Sequence, residues 1–396
     1  MTKELSVRAW HRSIMTMFAL LGPAGTSFMV RLPELKKMLG VSTSELGLIL
    51  FSGAIGSICA LSIAARIIAR LGTKPQLLGG FYLIAGGLIA QAIAAQNASP
   101  LFFAIFMFIT GFGYGISDVP LNVDGAAIEK KLGRSILPRL HAGYSVGALA
   151  GAGLGTICIA LGIPLLAQII FFCSLQMILP FVTYRFIPSH TAQDEHHQDS
   201  TIAKPVRTNF WRDPQILLLG FGILCITLAE GAANDWLALS VVEGYHESPT
   251  NAGIAFAVFN LAMTITRFFG GSISDRFGRR HTVQAMALTG AIGLLLVIFG
   301  PSVIFAWIGA GLWGIGAALG FPLFISEAGE GENSARKVTV VTTFGYLAFL
   351  VGPPSLGFIA QAIGLLLMLF IIATVLAAAA LFARAMSNRK PTSLMH

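Results

Sequence analysis

Long apolar runs separated by short polar breaks dominate the chain, and most are of the length that crosses a bilayer. The hydrocarbon core of a membrane is roughly 30 Å thick, so about 20 mostly apolar residues in a helix span it. Such runs fall at 10–30, 44–69, 76–96, 100–122, 139–162 and 164–186, and again at 214–240, 250–270, 282–300, 302–322, 336–360 and 364–385. Twelve spanning helices are expected, because a helix bonds its backbone groups internally where no water reaches them. The first run follows Lys3, Arg8 and Arg12 as a secretory leader would. It is long for a leader, however, and ends in "MVRLPELKK" without a small-residue cleavage site, so it reads as a retained helix.

Composition points the same way. The chain is 55% hydrophobic and 11% charged, with a mean hydropathy of +0.77; soluble globular proteins carry roughly 25% charged residues. The formal net charge of +8 would suit a nucleic-acid partner, but charge placement gives another account. With the N-terminus cytoplasmic, the outward loops hold only Arg31, Lys36 and Lys37 of the 26 Lys and Arg residues. This is the positive-inside bias; it makes both termini cytoplasmic and leaves no need for nucleic acid. Cys59, Cys158, Cys173 and Cys225 lie in apolar runs without CxxC spacing and read as small core residues.

The expected fold is all-α and integral to the membrane, in two six-helix halves, 1–187 and 214–396, joined by a cytoplasmic linker over 188–213. The linker is rich in Pro, Ser, Thr and mixed charge. Its His190, His196 and His197 stand beside Asp194, Glu195 and Asp199, but their spacing matches no metal cage. The halves echo each other: "HAGYSVGALAGAGLG" aligns Gly143-Tyr144 and Gly155 with Gly345-Tyr346 and Gly357 of "TFGYLAFLVGPPSLG". Parallel repeats of six helices are the pattern of major facilitator transporters.

The stretch "GGSISDRFGRRHTV" makes that resemblance specific. Gly271, Asp275, Arg276, Gly278, Arg279 and Arg280 match the loop motif of the major facilitator superfamily. In the first half the motif is degraded: Ala69 replaces the aspartate, and Arg70, Gly72 and Lys74 survive. Within the superfamily, "SDVPLNVDGAAIE" resembles the fourth-span signature of the fucose–proton symporter-like group, with Asp118 four residues before Asn122. "GFPLFISEAG" resembles that group's Phe-Pro element, and "AEGAANDW" resembles its bacterial inner-membrane relatives of unassigned substrate. The first span lacks the acidic residue of fucose symporters, and the fourth lacks the arginine of drug–proton antiporters.

Asp118 and Asn122 share one helix face inside an apolar segment. A charge near the bilayer centre costs about 2.5–3.5 kcal/mol on insertion scales, and burial disfavours the charged form of a carboxyl group. Asp118 is therefore the first candidate for proton or substrate binding; the alternative is a structural acid held by neighbouring helices. Glu230 and Asn234 share a face of the seventh span, lining a cavity or bonding between helices, and Gly231 is expected to weaken that helix. Asp235 points elsewhere, and Trp236 reads as an interfacial anchor. His141 opens the fifth span in a packing, capping or transport role.

The glycines at 143, 147, 151 and 155 form a close-packing stripe, and "GPAGTS" and "GPPSLG" are expected kinks. Asp275, followed by Arg276, is expected as a cytoplasmic latch against the start of the fifth span near Pro138 and Arg139. Arg31, before the helix-breaking Pro33, is its outer counterpart, facing Asp235 and, one turn deeper, Glu230; otherwise it snorkels to lipid phosphates.

The resemblance implies a secondary transporter working by alternating access in the bacterial inner membrane. Its partners would be the bilayer, protons and a small solute, and the chain would act as a monomer. The in-membrane charges are acidic apart from Arg66 and Arg267, which favours a neutral or cationic solute. No GxxxxGK[ST] loop, HExxH or GxSxG occurs, so neither ATP, a metal nor another cofactor is expected, and an enzyme is disfavoured. Symport is the first reading and proton-coupled efflux of drugs or metabolites the second.

Overall fold

The computed structural model describes residues 6–133, 136–188, 210–330 and 333–387, and the regular elements among them are helices. Contacts divide the chain into two compact units, Met1–Val41 with Leu48–Val206 and Ser42–Gly47 with Arg207–His396. The first unit holds α1 (Val7–Leu21), α2 (Pro23–Met29), α3 (Leu32–Leu39), α4 (Thr43–Leu71, whose first turn belongs to the second unit), α5 (Thr73–Gln96), α6 (Pro100–Leu132), α7 (Leu137–Ala160) and α8 (Leu165–Thr183). The second holds α9 (Pro214–Tyr245), α10 (Pro249–Phe277), α11 (Arg279–Phe299), α12 (Val303–Ala318), α13 (Gly320–Ala328), α14 (Ser334–Ile363) and α15 (Leu365–Phe382). Eleven helical stretches among the described residues are long and apolar enough to cross a membrane, with α12 and α13 counted together. The first span, α1–α2 bent by 52° into α3, makes a twelfth. The polar stretch expected as a linker lies outside the described residues over 189–209, its three histidines included. At its end the Asp213 side chain accepts from the N–H groups of Gln215 and Ile216 and so caps α9.

Prolines shape the interior of both units. A proline lacks the N–H that the carbonyl four residues earlier would receive, and in lipid that carbonyl needs another donor. Pro120, within α6, frees the Ile116 carbonyl, and Gln76 Nε2 of α5 donates to it at 2.9 Å. Pro322 frees the Ala318 carbonyl at the break between α12 and α13, and Arg267 Nε of α10 donates to it at 3.1 Å. Pro23 frees the Ala19 carbonyl at the break between α1 and α2. Here α7 approaches so closely that a Cβ on Gly147 would lie 2.0 Å from the Ala19 oxygen. The glycine stripe of α7 is thus a contact face for α1 and α2: a Cβ on Gly151 would lie 2.2 Å from Thr26 Oγ1, which itself donates to Ala148 O at 2.9 Å.

The bend into α3 has its own brace. The Arg31 N–H turns to Phe28 O, which leaves Ser27 O without its helical donor, and Gln168 Nε2 of α8 fills that place at 2.8 Å. The helix breaks beside Pro33 as expected, between Met29 and Leu32. Pro33 sits in the first turn of α3, where a missing N–H costs nothing. Helical structure continues through Pro353 and Pro354 of α14 and through Gly231 of α9. The four cysteines are free thiols, but only Cys173 and Cys225 are buried, and Cys59 is exposed.

Candidate functional site

In the first unit the site is built on α6. This helix has 33 residues, about 50 Å at about 1.5 Å per residue, and Asp118 lies about half-way along it. Asp118 is half-buried. Asn122, one turn on, donates through Nδ2 to Asp118 Oδ1 at 3.2 Å and to Asp118 O at 2.9 Å. With its amide nitrogen turned that way, Asn122 presents Oδ1 to His141 Nε2 of α7 at 3.2 Å. The Phe18 ring of α1 meets the His141 imidazole edge-on, with centroids 5.2 Å apart. A carboxylate, an amide and an imidazole therefore form one chain across α6 and α7. Pro120, between the two α6 residues, removes a backbone hydrogen bond where that chain is anchored. Spacing on α6 gave the pair Asp118 and Asn122; joining His141 to it required knowing that α6 and α7 adjoin there.

The second unit holds the counterpart on α9. Glu230 is at mid-length of this 32-residue helix, and Asn234 Nδ2 donates to Glu230 O at 3.1 Å. The carboxylate makes the interhelical bond: Glu230 Oε1 lies 2.9 Å from Arg267 Nη2, with the two side chains 19% and 25% exposed. Arg267, read from the sequence as a charge near a cytoplasmic end, is thus the partner of a mid-helix acid. Asp235 is half-buried and has no hydrogen bond or ion pair among the described residues. Trp236 does not sit at a lipid interface. It is fully buried, its ring edge against Gly357 of α14, because α9 is packed by α10, α14 and α15 and has the most buried window of all the spans (61%).

The expected gate residues lie as follows. Arg31 is 4% exposed and bonded within its own unit: Nε to Gln168 Oε1 at 2.8 Å, Nη1 to Glu34 Oε2 at 2.7 Å, and Nη2 to Ile163 O. It does not snorkel. Asp275 is exposed at the end of α10, without a hydrogen bond or ion pair to the described residues. Arg276 lies over the Phe277 ring, 5.3 Å from its centroid, and Arg139 is exposed near the start of α7. Within the loop motif the engaged cation is Arg279, which pairs with Glu327 at 3.3 Å and with Glu330. Glu327, buried in α13, also accepts from the Ser387 N–H at 2.6 Å, tying α13 to the segment after α15.

The family model of the Major Facilitator Superfamily matches residues 14–246 and 219–394. An uncharacterized MFS-type transporter of Yersinia pestis is 30% identical over 361 residues, covering 90% of each chain. The crystal structure of the nucleoside transporter NupG matches with a TM-score of 0.71 at 14% identity, covering 97% of this chain and 99% of that one. The E. coli fucose:proton symporter FucP matches with a TM-score of 0.59 at 16% identity, covering 94% and 97%.

Proposed function

We propose, for a chain that belongs to the Major Facilitator Superfamily, that it moves a small neutral or cationic solute inward across the bacterial inner membrane together with protons. It is a multi-pass membrane protein, and its relatives support a secondary transporter. The observation that carries the proton coupling is the chain of Asp118, Asn122 and His141, which joins the middle of α6 to the start of α7. Two titratable groups there, on adjacent helices, suit a site reached by water from alternating sides. The proton coupling of the fucose:proton symporter FucP supports the same reading. The orientation is both termini cytoplasmic, from the placement of Lys and Arg, and the working unit is the monomer. Glu230 and Asn234 complete the solute path in the second unit.

Asp275 with Arg139 is proposed as the cytoplasmic latch, Arg276 lying beside it. Arg31 with Asp235 is proposed as the outer gate, which requires Arg31 to exchange a partner it already holds.

The test is uptake in proteoliposomes, screening sugars, nucleosides and amines with and without an inward proton gradient. Asp118→Asn is expected to abolish accumulation driven by the gradient while keeping exchange of solute for solute. Accumulation at the wild-type level in that variant would remove Asp118 from the proton path.

A further inference from the structure

The tenth span is broken once, and three elements meet at the break. Ala318 ends α12, Leu319 leaves the helix at φ −108°, and the ladder resumes with the Leu323 N–H on Leu319 O at 3.1 Å. The Ala318 carbonyl has no backbone donor four residues on, because that residue is Pro322. Arg267 of α10 supplies the missing donor. The same guanidinium holds Glu230 of α9 through its other arm. The joint is gripped on both flanks as well. A Cβ on Gly270 would lie 2.4 Å from Leu319 Cδ2, and a Cβ on Gly320 would lie 2.5 Å from Ile226 Cγ1, one turn from Glu230. A glycine on α10 thus seats the side chain at the break, and a glycine just after the break seats α13 on α9.

From these contacts we infer that Arg267 is a positioning residue that ties the occupation of Glu230 to the bend between α12 and α13. This rests on the reading that Glu230 lines the solute path. While Glu230 is free, its carboxylate holds Arg267 in the place from which Nε reaches Ala318 O. A solute group that takes over the carboxylate releases that arm, and the carbonyl loses its substitute donor. The bend then relaxes, and α13 moves with Glu327, which carries the ties to Arg279 and to Ser387. A planar guanidinium suits this task because it offers two donors in fixed relation to two acceptors on different helices; a lysine ammonium lacks that fork.

The test reads the bend directly and needs no identified solute. In a background with the four cysteines replaced, Ala328→Cys places a thiol at the end of α13 where the side chain is buried. Arg267→Gln and Glu230→Gln are each expected to speed maleimide labelling of that thiol at least fivefold. The double variant should label no faster than either single one. Pro322→Ala, which gives Ala318 O its own backbone donor, should return Arg267→Gln to slow labelling. Labelling of Arg267→Gln at the wild-type rate, additive effects, or no rescue by Pro322→Ala would each overturn the inference. Failure of the transport reading is seen separately: the labelling pattern would stand while Glu230→Gln left uptake unchanged.

Discussion

Arg31 offers the sharpest quantitative test of how the first span keeps its bend. Arg31→Ala removes a guanidinium that is 4% exposed and donates to three acceptors on two sides of the 52° turn. Its pair with Glu34 contributes little, because Glu34 is 36% exposed and such pairs are worth about 0–1 kcal/mol. The other two losses strand Gln168 Oε1 and Ile163 O, at about 1–3 kcal/mol for each unsatisfied acceptor. Gln168 also loses the anchor that holds its amide on Ser27 O. Together these put the cost near 3–5 kcal/mol, the range for breaking a buried charged cluster by removing one member. Equilibrium unfolding in mixed micelles, titrated with SDS, measures this difference directly. Glu34→Ala should cost less than about 1 kcal/mol in the same assay, and Arg31→Lys should recover only a minor part, since one ammonium cannot reach three acceptors around a plane. A stability within about 1 kcal/mol of wild type for Arg31→Ala would refute the brace, because a typical single hydrogen bond is worth about that much.

Gln76→Leu should cost about 1 kcal/mol by stranding Ile116 O, and Pro120→Ala should cancel most of that loss; equal losses with and without Pro120 would rule out the pairing. For the outer gate, Arg31→Ala and Asp235→Ala should show a coupling above about 0.5 kcal/mol in the accessibility of a periplasmic cysteine probe. Strict additivity would remove Asp235, and Glu230 would be tested next. For the cytoplasmic latch, Asp275→Asn and Arg139→Gln should each raise labelling of cytoplasmic cysteine probes, with no further rise in the double variant; independent effects would dissolve the latch.

Hydropathy made the spans legible, since lipid imposes their length and helicity regardless of neighbours. The prolines at 23, 120 and 322 were equally visible, but the donors that answer them were not. Gln76 and Arg267, which answer Pro120 and Pro322, and Gln168, which answers the bend at Arg31, are polar residues whose use depends on which helix lies beside them, and one sequence does not say. The same limit hid the partner of Glu230, although the shared face with Asn234 followed from spacing alone. Trp236 was misjudged because the aromatic-belt rule holds for lipid-facing positions, whereas α9 is wrapped by other helices at that point.

The answered prolines also bear on the order in which the protein is made. Gln76 is synthesised before Pro120, and Arg267 before Pro322, so each needy carbonyl enters the bilayer when its donor is already there. The first span is the reverse case. Its breaks depend on Gly147 of α7 and Gln168 of α8, which leave the ribosome more than a hundred residues later. Nascent chains stalled before α7 should therefore hold α1–α3 in rapidly exchanging form, and chains stalled after α8 in protected form, by pulsed hydrogen exchange. The first span is the part of its unit whose contacts are completed last, once α7 and α8 have joined it.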